Sequence, residues 1–242
     1  MEGFRAISGA VAAGAIRPHE QARRAPLPFI TISRQAGAGG IALKDKLVQR
    51  LRAIDKADPP WTGFDRELVE KVAADYDLSS PLLETLDEAS HSYLNELFSA
   101  LLISKPEPNE LAVYRRVAKT IRALAQVGRV VIVGRGGMFI TEDMPAGVHV
   151  HLVAPLAQRI EMAQRTRGFA RKEAAEWVQR IDENRAAFYR RHWPQRTVGP
   201  EVFSVVFNTA HVSEDAMVEA LLPLIPGMQE KRDRHRQHAA QR

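Results

Sequence analysis

The sequence predicts an α/β fold in which a parallel sheet carries helices on both faces, and three observations predict it. Short β-branched apolar runs at 28–32, 130–133 and 148–153 read as buried strands. Longer stretches with helical periodicity separate them, and strands joined through helices form parallel sheets. The first run leads directly into Gly37-Ala38-Gly39-Gly40, followed by Leu43, Leu47 and Leu51 at four-residue spacing, which gives the order strand, glycine loop, helix.

The remaining elements follow the same reasoning. Residues 202–207 read as a fourth strand, and 61–64 as a short fifth. Helical patterning covers 66–74, 82–102, 111–126, 156–165, 171–191 and 213–224. This divides the chain into a flexible arm at 1–27, one domain at 28–226 and a basic tail at 227–242. In such a sheet, ligands bind beyond the carboxyl ends of the strands, and the glycine loop lies there.

Composition narrows the function classes. The 242 residues are 45% hydrophobic and 26% charged, as in ordinary globular proteins. With no cysteine, disulfide frameworks, thiolate zinc sites and cysteine nucleophiles are excluded, which fits a reducing, cytoplasmic setting. The formal charge of +5 is a property of the ends. Residues 231–242 hold one Lys and four Arg against one Asp, and residues 1–27 hold four Arg against two Glu, which leaves the body at −1. Contact with nucleic acid is therefore expected from the basic tail only, and a solvated terminus is the simpler reading of it. No apolar stretch reaches the roughly 18 to 20 residues that span a bilayer, so no membrane partner is expected. Residues 6–16 resemble only a weak signal segment, because they are rich in Ala and Gly and lack Leu.

A run of small residues between a strand and a helix can turn its amides inward, and the helix N-terminus adds the positive end of its dipole. Ser33, Gln35, Gly37, Ala38, Gly39, Gly40 and Ile41 are thus candidate phosphate contacts, although the same glycines would also serve a plain tight turn. The full signature for such a loop ends in Lys and Ser/Thr, which reach the β/γ phosphates and Mg²⁺. Here Gly40 stands at the lysine position and Ile41 and Ala42 offer no hydroxyl. Loss of one charge-stabilising donor costs on the order of 10²- to 10³-fold in rate. Arg34, Arg135, Arg180 and Arg185 are the candidates to compensate, since a guanidinium pairs two phosphate oxygens at once. Arg180 and Arg185 would equally serve as solvated charges or as partners of Asp182 and Glu183. Asp65 either contacts an acceptor or a hydrated Mg²⁺, or caps a helix starting at Arg66. His149 and His151 share a strand face but have no evident third ligand, so no metal site is expected. Trp177, Phe188, Tyr189 and Trp193 are expected to pack helices together.

Ile30-Thr31-Ile32-Ser33-Arg34-Gln35 followed by Gly37-Ala38-Gly39-Gly40 resembles the first strand and loop of the cytidylate kinase-like family. The resemblance continues in order from about 28 to 224. It runs through Phe64-Asp65-Arg66-Glu67-Leu68, Val133-Gly134-Arg135-Gly136, and Leu152-Val153-Ala154-Pro155 with Arg159. It ends with Arg180-Ile181-Asp182 plus Arg185, and Val205-Val206-Phe207-Asn208-Thr209. It implies a five-stranded parallel P-loop core in three layers, an acceptor region drawn from 66–127, and a helical lid near 166–196 bearing Arg180, Asp182 and Arg185. It also implies an adenine-side role for Arg159, ATP and Mg²⁺ as co-reactants, and transfer of the γ-phosphoryl group to CMP, dCMP or a similar acceptor. Relatives carry an Asp after Arg135 that contacts the base, whereas this chain has Gly136. Three functional readings stay open: a nucleoside monophosphate kinase, a nucleotide-binding regulatory protein of the same fold with little turnover, and a kinase for another small acceptor.

Overall fold

Strand β1 (Phe29–Arg34) is buried on both sides because it lies at the centre of the sheet. The structure, a computed structural model, describes residues 26–65 and 108–240. Residues 1–25 of the arm expected at 1–27, and the helices expected at 66–74 and 82–102, lie outside the described residues. Strands β2 (Thr62–Phe64), β3 (Val130–Val133), β4 (Gly147–Val153) and β5 (Val205–Asn208) complete a five-stranded sheet in the order β2-β3-β1-β4-β5. Every pairing is parallel.

Alternation along β1 divides the core into two layers. Ile30 and Ile32 join Val131, Val133, Val150 and Leu152 on one face. There they pack against Leu43, Leu47 and Leu51 of α1 (Ile41–Ile54) and Met217, Val218 and Leu221 of α6 (Glu214–Leu221). Phe29 joins Val130 and Ile132 on the other face, against α2 (Pro108–Val127) and the single turn α3 (Gly137–Ile140). Between β4 and β5 run α4 (Leu156–Arg167) and α5 (Arg171–His192), where a lid is expected. Phe188 and Trp193, at the end of α5, pack with Tyr114 and Phe139 on the α2 side of the sheet.

Two segments differ from expectation. The run 202–207 is not one strand: Pro200–Val202 forms a 3₁₀ turn and pairing with β4 begins at Val205. Pro200 has no N–H for a ladder and a fixed φ suited to a turn, while Val202 and Phe203 pack onto the Phe29 layer. Residues 228–240, expected as part of a solvated tail, form helix α7 (Met228–Ala240). Met228 is buried and Lys231 reaches the Asp55 carboxylate at 2.8 Å, so the helix is tied to the end of α1. Among the described residues, no helix is long and apolar enough to cross a membrane.

Candidate functional site

The site begins where β1 ends, between the carboxyl ends of β3 and β4. The Gln35 amide donates to Leu152 O at 2.9 Å and its side-chain oxygen accepts from the Ala154 amide at 3.1 Å, which ties the loop base to β4. The Ala38 amide turns back onto Gln35 O at 3.1 Å. Gly37 has φ +76° and rests on the α4 backbone, where an added Cβ would stand 2.3 Å from Arg159 O. Gly40 has φ +117° and starts α1 with no side-chain cap. Among the described residues, the amides of Gly37, Gly39, Gly40, Ile41 and Ala42 have no hydrogen-bond acceptor. A row of unsatisfied donors at a helix N-terminus is an anion site.

Ser33, expected as a phosphate contact, is buried, and its hydroxyl is directed at Met138 Sδ at 3.8 Å. It supports the loop from beneath, because alternation along β1 sends it to the α3 side of the sheet. Ala38 is buried in the α1 layer, so it contributes no side chain to a ligand. Ile41 is exposed, in keeping with its place in the first helical turn.

Arg34 leaves β1 on the α1 side. Its guanidinium donates to Gly134 O at the end of β3, 3.3 Å away, and its stem runs past Gly40. Arg34 therefore bridges the glycine loop and the Gly134-Arg135-Gly136 turn.

A second cluster fixes the other flank. Asp182 of α5 accepts from the Ala36 amide at 2.8 Å and from Arg159 Nη1 on its second oxygen. Arg159 also donates to Ala36 O at 3.2 Å and Ala154 O at 3.0 Å. Arg185, one turn beyond, donates to Asp182 at 3.3 Å. Charge-assisted bonds of this kind are the strong ones, so the loop is braced against α4 and α5. Burial pulls the Arg185 guanidinium below its ordinary pKa, which Asp182 offsets only in part. Arg180 is exposed and makes no hydrogen bond or ion pair among the described residues. The fold brings Asp182, Arg159 and Arg185 together and leaves Arg180 outside their cluster.

On the β3 side, Arg135 stands 5.9 Å from the Phe188 ring and the Gly136 amide donates to Tyr189 Oη at 3.3 Å. Trp193 occupies the space beside Gly136, where a Cβ would lie 2.4 Å from the indole. A side chain at 136, such as the carboxylate relatives place there, would collide with Trp193. Trp177 packs with Ile160, Ala174 and Val178, while Phe188, Tyr189 and Trp193 join the layer beneath the Arg135 turn. Asp65 follows β2 and lies 3.8 Å from Lys44. Lys44 was not singled out by sequence reasoning, since a lysine in a Leu-patterned helix reads as polar surface; here it is buried.

On the β4–β5 side, a cavity of about 480 Å³ opens beside the loop. Gly37, Ala154, Gln158, Arg165, Thr209 and Ala210 contribute to its wall. Its walls come from the loop, α4 and the segment after β5, a combination that only the fold brings together.

The two strand histidines have other partners. His149 Nδ1 shares a 2.8 Å hydrogen bond with Thr31 Oγ1, and burial lowers its pKa to about 4. His151 stacks on Phe203 and is held below the ordinary histidine value, by burial first and then by Arg185. Among the described residues, no group of three His, Cys, Asp or Glu side chains is arranged to hold a metal ion.

The family model described as "Cytidylate kinase-like family" matches residues 29–211. A cytidylate kinase from Ignicoccus hospitalis is 28% identical over 135 residues, which is 54% of this chain and 78% of that protein. An uncharacterized protein from Eubacterium ventriosum superposes with a TM-score of 0.59 at 17% identity, over 83% of this chain and 99% of that one. Shikimate kinase from Bacteroides thetaiotaomicron superposes with a TM-score of 0.46 at 15% identity, over 81% and 97% of the two chains. With the family model matching well over half of its length, this chain belongs to the cytidylate kinase-like family.

Proposed function

We propose that this protein transfers the γ-phosphoryl group of ATP to a nucleoside monophosphate, with CMP and dCMP the first acceptors to test. The observation that carries this reading is that the amides of Gly37, Gly39, Gly40, Ile41 and Ala42 have no acceptor among the described residues, with the Arg34 side chain passing beside Gly40. The match to a relative named cytidylate kinase supports the choice of acceptor.

Phosphoryl transfer asks a protein chiefly for positioning and positive charge, and a monophosphate acceptor is already ionised, so no strong base is required. The donor base fits the cavity beside Gly37 and Thr209, its phosphates lie over the loop amides, and Arg34 reaches the migrating group. Arg185 completes the cationic surround when α4 and α5 close and exclude water. Asp182 and Arg159 hold the loop in shape for this. A bound Mg²⁺ would neutralise phosphate charge here. The residues suit an ion held through phosphates and water, with Asp65 as the carboxylate at the strand ends. Arg135 and Asp65 face the acceptor.

A second reading rests on one observation: Gly40 and the exposed Ile41 stand where a loop lysine and a metal-binding hydroxyl would be. In that reading the protein binds nucleotide as a regulatory module with little turnover. ADP formation from ATP and Mg²⁺, assayed with each monophosphate in turn, separates the two. Turnover with CMP or dCMP supports the kinase. A raised melting temperature with ATP but no turnover supports the module. An unmoved melting curve with ATP and every monophosphate removes both.

A further inference from the structure

Lys44 is the one lysine buried among the described residues, at 8% exposure. It belongs to the inward stripe of α1, beside Leu43 and Leu47, one turn before Val48 and two before Leu51, where an apolar residue is the ordinary choice. Taking an ammonium out of water is costly unless it is paired. Its stem lies on β2, where a Cβ added at Gly63 would meet its Cδ at 3.0 Å. Side chains on a helix lean toward its N-terminus, so the ammonium is carried back toward the loop. It ends at the carboxyl edge of the sheet, 3.8 Å from Asp65 and 3.2 Å from the exposed Asp45.

This placement separates Lys44 from the nucleotide cavity. The sheet order β2-β3-β1-β4-β5 puts the glycine loop in the middle, the cavity with Thr209 and Ala210 toward β5, and Lys44 with Asp65 toward β2. An ammonium has three donors, and the two ion pairs leave one of them without a partner among the described residues. The Asp45 pair is exposed and contributes little. What remains is a sheltered cation on a lining of Gly63, next to a carboxylate, on the side of the loop away from the donor base.

We propose that Lys44 binds the phosphate dianion of the acceptor from the first turn of α1. Asp65 orients the ammonium and Gly63 leaves room for its stem. The inference rests on the phosphotransferase reading and adds to it a specific ligand for the acceptor, a phosphomonoester.

Steady-state kinetics of Lys44→Met and Lys44→Arg test it. Lys44→Met is expected to raise the acceptor KM about tenfold or more with ATP KM nearly unchanged, and Lys44→Arg to recover part of the loss. A lost structural ion pair alone would weaken both substrates or neither. Should Lys44→Met fold poorly, the wild-type protein gives a second measurement. Pyridoxal 5′-phosphate, a phosphate-bearing amine reagent, followed by borohydride, should mark Lys44 in peptide mass spectrometry, and CMP should protect it while ATP does not. An acceptor KM unaltered in Lys44→Met, or labelling of Lys44 that CMP leaves untouched while turnover persists, overturns the inference alone. Absence of acceptor-dependent turnover together with absence of protection by any monophosphate overturns both it and the phosphotransferase reading.

Discussion

Arg34 lines the space beside position 40: a Cβ on Gly40 would lie in van der Waals contact with it, 3.4 Å from Arg34 Cδ and 3.6 Å from its Nε. The glycine and the arginine therefore act as a pair. A lysine at 40 would run beside the Arg34 stem, and the arginine delivers a guanidinium to the same end of the loop from the strand below. Arg34→Ala is expected to weaken ATP binding or kcat/KM at least about tenfold, equivalent to about 1.4 kcal/mol. Isothermal titration with ATP and initial-rate kinetics measure it, and an unchanged value would remove Arg34 from the site.

The loop glycines differ in what they tolerate. Gly37→Ala would place a methyl 2.3 Å from the Arg159 carbonyl, whereas Gly39 has φ +88° and open space around it. Gly39→Ala should therefore cost only the strain of the left-handed conformation, about 1–2 kcal/mol. Gly37→Ala should cost more, because the contact with α4 must also open. Urea unfolding of the two variants gives the comparison, and equal losses would mean that the loop does not rest on α4 as described.

Asp182 joins Ala36, Arg159 and Arg185 through a half-buried carboxylate. Asp182→Ala leaves two guanidinium groups without their counter-charge and frees the loop. A loss of about 2 kcal/mol in unfolding free energy is expected, with weaker ATP binding alongside it. Were nucleotide affinity to stay constant while stability fell, the brace would have no part in shaping the loop.

His149 gives the fold a pH dependence. Its pKa falls to about 4 in the folded chain because burial disfavours the imidazolium. The unfolded chain protonates this residue near the ordinary value of about 6.5, so between there and pH 4 it binds a proton that the native state refuses. Stability should fall across that window as pH drops, by about 3 kcal/mol at pH 4 from this residue. His149→Gln should flatten the slope in urea melts taken from pH 7 to 4. An identical slope in the variant would show that another group is responsible.

Much of the architecture was legible because its signals are local. The run Val130–Val133 is apolar at every position and became a fully buried strand, and the glycines at 37, 39 and 40 announced a loop whose φ values they alone accept comfortably. The limits of β5 were not legible: Val202 and Val205 look alike in sequence, and Pro200 together with packing on the Phe29 layer decided between them. The site was half legible. Arg34 precedes the loop and Gly40 ends it in sequence, so their place at the loop could be inferred. Lys44 and the Trp193–Gly136 contact could not, since one depends on which face of α1 meets β2 and the other joins positions 57 apart through the fold. The cavity by Thr209 was hidden for the same reason.

Amide chemical shifts of the loop, followed by ¹H–¹⁵N NMR as ATP is added, test the central claim most directly. The amides of Gly39, Gly40, Ile41 and Ala42 should shift strongly downfield and in step as they donate to phosphate oxygens, and Arg34→Ala should weaken the response without abolishing it. ATP that binds while these four amides stay in place, or that shifts none of the loop, would contradict the claim that this loop holds the nucleotide's phosphates.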